Sequence, residues 1–349
     1  MDNKLSLGYN VEGRIERSPL GVISYILNII GIIGNAVVIH IFRTRTGPSS
    51  NYRIFVLFLS VVDLSLCISH IAKELSRMIS VYHEVTGTNL TCKISNYIGN
   101  SVGMASLLIV VFIGFERYRK ICTPFKSQIT TTHSKIMCLS VICIGFVLQF
   151  PIYLFHGKRY VQVENINATR CSIENKYDES LLTLIYYNFV FLAAITGVIL
   201  VVVFQVNIRN ALVEKSKTKR RMKARAEKQS SGEDQTECSN RKVDGKKTNQ
   251  TLSNTSAADQ EAEKNKRIAI TFAFVTVFLV ASFITITLFQ TIRTTQNYFF
   301  PREKISKIED IVDSYMPDIV VINGILNPFV YFFTDAQFKT EVMKLCGRV

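Results

Sequence analysis

From Pro19 to Phe42 the chain reads PLGVISYILNIIGIIGNAVVIHIF, without one Asp, Glu, Lys or Arg. As a helix this stretch is long enough to cross about 30 Å of hydrocarbon, which excludes a wholly water-soluble protein. Six further apolar segments follow at about 54–72, 97–115, 136–155, 181–206, 268–292 and 311–333. The 349 residues would suit one or two soluble domains by length, but 48% hydrophobic and 19% charged residues are too apolar for that reading. The pattern predicts an all-α membrane protein, a bundle of seven transmembrane helices.

Polar residues inside the segments say how the helices are used. Asp63 and His70 lie in the second, and Asp313, Asp318, Asn323 and Asn327 in the seventh. Such groups face other helices instead of lipid, which argues for a bundle. The formal charge of +14 is collected between the spans: Arg43, Arg45 and Arg53 follow the first, Arg117, Arg119, Lys120, Lys126 and Lys135 the third, and Arg209 to Arg225 the fifth. This is the positive-inside pattern, so these loops are expected in the cytoplasm and the N-terminus outside. No nucleic acid is needed to explain the basic excess. The first twenty residues contain no apolar signal-peptide core, so the first helix is expected to direct insertion.

The expected organisation is an extracellular segment at 1–18, a membrane domain at 19–333 and a cytoplasmic tail at 334–349. Within the domain, the polar connection 207–267 has a centre with almost nothing to bury, predicting disorder. Its edges, Asn207 to Ala226 and Asp259 to Arg267, can continue the fifth and sixth helices. Thr334 to Cys346 reads as a short amphipathic helix on the inner leaflet, with Phe338, Val342 and Leu345 approaching one face. Cys346 is a palmitoylation candidate, with a free thiol as the alternative. The sequons at Asn89 and Asn167 fall in outside loops and are glycosylation candidates; those at Asn249 and Asn254 fall inside. Eight cysteines without CxxC spacing predict one or two disulfides at most and no structural zinc site.

Three constellations carry chemistry. An ionised Asp63 deep in a bilayer needs polar neighbours, a cation or protonation, and a polar packing network around a protonated carboxyl satisfies the same need. Glu116 and Arg117 are adjacent at the end of the third span, where they can pair or simply meet water at the membrane edge. Asn327-Pro328 removes an amide donor inside a transmembrane helix, so that helix bends or finds another partner for the freed carbonyl.

In order and spacing these features resemble a rhodopsin-like, or class A, G-protein-coupled receptor over nearly the whole chain. The resemblance rests on Gly34-Asn35, Leu59-Ser-Val-Val-Asp63-Leu64, Cys92, Glu116-Arg117-Tyr118, Asn323 and Asn327-Pro328-Phe329-Val330-Tyr331, with twenty-five residues from Cys92 to Arg117. It implies an internal sodium site lined by Asp63, Ser106, Asn323 and Asn327. It also implies that Arg117 is held locally at rest, then released to an intracellular partner as the sixth helix swings outward, with Asn327, Pro328 and Tyr331 relaying the change toward Glu116, Arg117 and Tyr118. A disulfide between Cys92 and Cys171 is implied as well, tying the second outside loop to the bundle mouth. There, Lys158-Arg-Tyr-Val-Gln-Val-Glu alternates polar and apolar residues and predicts half of a β-hairpin.

The chain also departs from the family pattern. It contains no Trp, Phe278 stands where the sixth span usually has one, and Val280 replaces the usual proline. Gly99 occupies the position of the aspartate that pairs with amines, and Val321 that of the retinal-binding lysine, which argues against an amine receptor and against a Schiff-base photoreceptor. The expected ligand pocket involves Gly99, Asn100, Gly103, Phe278, Ser282, Asp313 and Val321. Lys73, Glu74, Arg77, Glu84, Lys158, Arg159, Glu174, Asp310 and Asp313 surround its mouth and suit a charged peptide or a merely solvated rim.

The resemblance therefore implies a multi-pass plasma-membrane receptor for an extracellular agonist, with a neuropeptide as the leading class, acting on a heterotrimeric G protein. Arrestin and receptor kinases are further partners by family, with Ser216, Ser230, Ser231 and Ser239 as accessible acceptors. No enzymatic chemistry and no required cofactor is expected beyond an allosteric sodium ion. The alternatives are a lipid or other small non-amine ligand and, in another class, a transporter or channel using the intramembrane carboxylates. An intramembrane enzyme built on Asp63, His70 and Ser106 lacks any catalytic spacing.

Overall fold

The computed structural model describes residues 2–45, 50–79, 88–163, 166–230, 245–301, 304–316 and 319–347. In chain order these form α1 (Asp2–Thr44), α2 (Asn51–Ile79), α3 (Thr88–Cys122), α4 (Thr131–Phe155), β1 (His156–Val163), β2 (Ile166–Ile173), α5 (Asn175–Asp178), α6 (Leu181–Ser230), α7 (Gly245–Phe299), β3 (Lys304–Ile305), α8 (Lys307–Tyr315), α9 (Ile319–Thr334) and α10 (Ala336–Leu345). Among the described residues six helices are long and apolar enough to span a membrane, and a seventh is counted when α9 is joined to α10, from which it bends by 102°.

Three boundaries differ from those read in the sequence. Helix α1 begins at Asp2 and includes the segment 1–18 apart from Met1, and it carries Pro19 inside it. The seventh apolar segment is divided between α8 and α9, and Pro317 lies outside the described residues. Asp318 lies outside the described residues. The long connection is helical as far as Ser230 and again from Gly245, beyond the expected extensions. Its Lys, Arg, Glu, Gln and Ala residues are good helix formers even with nothing to bury. Residues 231–244, including the expected acceptors Ser231 and Ser239, lie outside the described residues.

Helix α3 is the hub, packed against α2, α4, α6, α7 and β1. Its span is 67% buried, against 22% for the first, so α3 needs polar and small residues where α1 needs lipid-compatible ones. Phe42, Phe55, Leu59, Leu66, Leu107, Ile109 and Leu279 fill the interior. Ile33, Val147 and Leu192 stand outward and exposed, the reverse of a soluble helix and the arrangement that hydrocarbon stabilises.

Small residues permit the closest helix approach. A Cβ at Gly145 of α4 would lie 2.8 Å from the backbone oxygen of Ser101 in α3, whereas one at Gly197 of α6 would meet only the Leu107 side chain, at 3.5 Å. Backbone cannot step aside as a leucine tip can. Gly145→Ala is therefore expected to cost about 1–3 kcal/mol of bundle stability, and Gly197→Ala little. Melting of the two purified variants beside the unmutated protein tests this, and equal melting points would refute it.

At one end of the bundle β1 pairs antiparallel with β2, with Lys158 opposite Cys171, and β3 joins β1 in parallel. At the other end Asp335 caps α10 by accepting from the Phe338 amide at 3.0 Å and pairs with Arg45 at 3.1 Å. Phe338 is buried against Phe42 and Tyr331, Val342 packs on the core, and Leu345 is 58% exposed.

Candidate functional site

At the hairpin end a cavity of about 50 Å³ opens between α2, α3, α4, α6, α7 and α9. Gly99, Asn100 and Gly103 line it, with Ser69, His70 and Lys73 on α2 and Gln149 on α4. Gly99 has no side chain to fill the gap toward Ser69 and His70, which a Cβ would meet at 3.5 and 3.8 Å. From α7 the lining is Phe283, Ile286, Thr287 and Gln290, spaced as one helical face.

Four residues expected in the pocket lie elsewhere. Phe278 is 38% exposed on the outer side of α7, because it precedes the buried Leu279 by one residue and so points about 100° away from the inward face. Phe283 is the aromatic that α7 does present to the cavity. Ser282 turns its hydroxyl back to the Phe278 and Leu279 carbonyls, each at 3.0 Å. Val321 is packed in the core, leaving Val320 to the cavity. Asp313 sits at the rim between Arg170, at 3.1 Å, and Arg293, at 2.6 Å. Lys73, expected at the mouth, lines the cavity, together with Asn96, Gln149, Tyr187 and Gln290, which the expected pocket does not include. The helical period through Phe283 points to Gln290, whereas the family motif points to Phe278.

The hairpin lies at the same end as this cavity, where the lining residue Asn96 donates to Cys171 Sγ at 3.0 Å. A disulfide joins Cys92 at the start of α3 to Cys171 in β2. Arg159 in β1 forms a two-bond pair with Asp178 of α5, and Asn297 of α7 donates to the same carboxylate at 2.8 Å. Glu174 joins Lys93 and Lys176, at 2.8 and 2.9 Å. Thus Arg159, Glu174 and Asp313, expected at the mouth, are paired with neighbouring charges; Glu84 lies outside the described residues. The Asn89 sequon falls in the first turn of α3, where Asn89 Oδ1 accepts from the Lys158 amide at 3.0 Å.

His156 bonds Tyr187 at 2.8 Å, and burial, with the charges of Lys73 and Lys93, pushes its pKa down to about 3 against a smaller raising effect of Glu174. Between the ordinary value near 6.5 and about 3 the unfolded chain binds a proton that the folded one refuses, so stability is present above pH 6.5 and is lost as pH falls through that window. The slope from this group approaches about 1.4 kcal/mol per pH unit. His156→Gln is expected to flatten the melting profile between pH 7.5 and 5; an unchanged slope would assign the dependence to other groups.

Near mid-bundle, buried Asp63 accepts from Asn327 Nδ2 at 2.6 Å and Ser106 Oγ at 3.4 Å. Asn35 donates to the Gly31 and Gly324 carbonyls, at 2.9 and 3.0 Å. The side-chain oxygens of Asn323 and Asn327 are buried without a hydrogen-bond partner. A carboxylate bonded to an amide whose own oxygen has no hydrogen-bond partner offers donors of the kind a hard cation takes.

At the far end Arg117 Nε donates to Glu116 Oε2 at 2.5 Å, and Asn51 Nδ2 to Glu116 Oε1 at 3.2 Å. Both charges are buried, and Arg117 Nη1 has no hydrogen-bond partner. Tyr118 packs on Phe204, with ring centres 5.7 Å apart. Tyr331 packs against Phe42 and Phe338, between α1 and α10, and Pro328 lies so close to α1 that a Cβ at Gly34 would meet it at 3.0 Å. Cys346 is an exposed free thiol.

The sequence model described as 7 transmembrane receptor (rhodopsin family) matches residues 34–331. The chain belongs to the rhodopsin family of seven-transmembrane receptors. That family is a receptor class and not a catalytic one, which removes the enzyme and transporter readings. The receptor aligns with the crystal structure of squid rhodopsin at a TM-score of 0.66 over 95% of this chain and 85% of that one, and at 17% identity the likeness shows the fold alone. It is 26% identical to the octopressin receptor of Octopus vulgaris over 38% of this chain and 32% of the relative. Similar values hold for opsin-3 of Manduca sexta, 29% over 34% and 30%, and for the cholecystokinin receptor type A of Rattus norvegicus, 27% over 39% and 32%. The receptor thus matches about a third of the length of these curated relatives, which divide between opsins and peptide receptors.

Proposed function

We propose that the receptor sits in the plasma membrane with its hairpin outside, binds an extracellular peptide at the cavity of the hairpin end and activates a heterotrimeric G protein at Arg117. The observation that carries the ligand reading is the cavity itself, where amide, hydroxyl and basic side chains stand among apolar ones such as Met104, Val190 and Phe283, at the end of the bundle that carries the disulfide-anchored hairpin. Gly99 offers no carboxylate to an amine and Val321 no amine to retinal, which speaks against two ligand classes despite the opsin relatives. The names of the octopressin and cholecystokinin receptors support a peptide. A lipid or other small non-amine molecule is the second reading, favoured by a cavity that in this conformation has room for only a few waters or one side chain. Agonist binding would shift the population toward a state whose inner end admits the G protein, with arrestin and receptor kinases acting on that state.

In this reading Asn89 and Asn167 face the glycosylation machinery, Cys346 lies near lipid for palmitoylation, and a sodium ion beside Asp63 takes the free oxygens of Asn323 and Asn327 after the Asn327 amide turns. Asp63→Asn is then expected to abolish the sodium dependence of agonist affinity, measured by radioligand displacement with and without sodium. An unchanged dependence would leave Asp63 as a packing group. Coupling is tested by G-protein activation across a panel of subtypes with a neuropeptide library, with surface labelling and Arg117→Ala alongside. A saturable response that requires Arg117 supports the reading; silence of a well-expressed receptor overturns the peptide class.

A further inference from the structure

Helix α6 continues as one element to Ser230, past the last residues that pack at its inner end. There Ile208 packs with Ile121 and Ala269, Ala211 and Leu212 lie against them, and Lys215 donates to the Ile121 carbonyl at 2.8 Å. Beyond that contact the helix is bare. Residues 213–218, more than a full turn, are exposed, as are Arg221, Met222 and Arg225. From Val213 to Arg225 the sequence sets Lys215, Lys217, Lys219, Arg220, Arg221, Lys223 and Arg225 against Glu214 alone. Lys217, Arg221 and Arg225 form one stripe, and among the described residues no acid pairs with any of them. Like charges four residues apart oppose a helix, so this stripe is stabilised by an anionic partner.

Two apolar side chains stand in the same stretch: Val213 is 46% exposed and Met222 65%. At about 100° and 1.5 Å per residue they lie about 14 Å apart along the axis and on opposite sides, with Lys217, Arg221 and Arg225 on a face between them. A flat surface cannot bury both knobs, whereas a partner that closes on the helix from two sides can. The bilayer fits poorly for a second reason. A spanning helix leads away from the membrane, so Lys217 and Arg225 stand about 12 and 24 Å past Arg209, the first base after the apolar run. Screening confines the reach of lipid charge to about 8–10 Å.

We propose that residues 213–225 of α6 are the target of a Ca2+-loaded, two-lobed EF-hand protein, whose apolar grooves take Val213 and Met222 from opposite sides and whose acidic surface takes the stripe of Lys217, Arg221 and Arg225. Proteins of this kind expose Met-rich grooves when they bind Ca2+, and their targets are basic helices with apolar anchors. The probe is calmodulin carrying a fluorophore. It is titrated, in Ca2+ or in chelator, onto the full-length receptor in nanodiscs of phosphatidylcholine with or without phosphatidylserine. The variants are Val213→Ser, Met222→Gln, the triple change Lys217→Glu, Arg221→Glu and Arg225→Glu, and the control Lys135→Glu, an exposed base on α4. Trypsin cleavage after Arg221 and Arg225 is followed in parallel.

Saturable binding is expected in Ca2+ and none in chelator, with both cleavage sites protected in the complex. Met222→Gln should weaken binding about ten- to hundredfold, as loss of one buried methionine predicts, and Val213→Ser by less. The triple charge reversal should weaken it by at least about tenfold, and Lys135→Glu should leave it unchanged. Binding that is equal in Ca2+ and chelator, or indifferent to Val213 and Met222, would overturn the clamp and leave only charge attraction. Binding indifferent to the reversed stripe would overturn the role of the three bases. No binding would overturn the partner; cleavage slowed only by phosphatidylserine would then assign the stripe to the bilayer, and cleavage unchanged would assign it to water. The comparison of Ca2+ with chelator on the unmutated receptor decides without any variant.

Discussion

Asp178→Ala is expected to destabilise the receptor by about 3–5 kcal/mol, more than truncation of an exposed charge such as Lys176. The reason lies in what is left behind. Arg159 is 8% exposed, and its Nε has no hydrogen-bond partner, so the guanidinium depends on Asp178 for its paired contacts. Burial holds the Arg159 pKa below its ordinary value even with Asp178 and Asp313 opposing that effect. Removing Asp178 also releases Asn297 and with it a tie between α5 and α7. Removing both charges, as in Arg159→Met with Asp178→Leu, should be far milder than Asp178→Ala, because no charge is stranded. Melting of the single and double variants forms the cycle. A cost for Asp178→Ala within about 1 kcal/mol would mean that water screens the pair.

This cluster also shows where the sequence stops being legible. Spans reveal themselves locally: a charge-free run, then a basic loop, then another run, and the structure has a membrane-length helix over each of the first six. The alternation in Lys158 to Glu164 is equally local, and it lies in β1 as far as Val163. Pairings are not local. Arg170 with Asp313 and Arg159 with Asp178 and Asn297 join residues whose proximity exists only after the hairpin folds over the bundle. Individual charges at the mouth could be read, but not which of them neutralise each other. Phe278 lies outside the cavity lining for a different reason, since the motif that implies a role for it has a tryptophan and a proline that are both missing here. The period of α7 turns Phe283 inward instead. Asp63, Asn323 and Asn327 could be found from polarity alone, because a polar group in an apolar run has few explanations.

At the opposite end, Arg117→Ala is expected to abolish G-protein activation with agonist affinity preserved, and Glu116→Gln to raise activation without agonist. Both follow from one geometry. Arg117 is 2% exposed and leans on the carboxylate beside it at 2.5 Å, yet its Nη1 is unsatisfied, so it is restrained at a cost. Glu116 is itself positioned by Asn51. Glutamine keeps the shape and an acceptor but loses the charge, weakening the pair by about 1–2 kcal/mol. If that restraint is lost when the inner end opens, the resting-to-active equilibrium moves about five- to thirtyfold. Asn51→Ala should move it in the same direction by less, because the charged contact survives and only its positioning is lost. Nucleotide exchange on purified G protein, normalised to surface-labelled receptor, measures all three. A Glu116→Gln receptor as quiet as the unmutated one would show that the pair does not hold the resting state, and the restraint would then have to lie in the packing of Tyr118 on Phe204, where α3 meets α6.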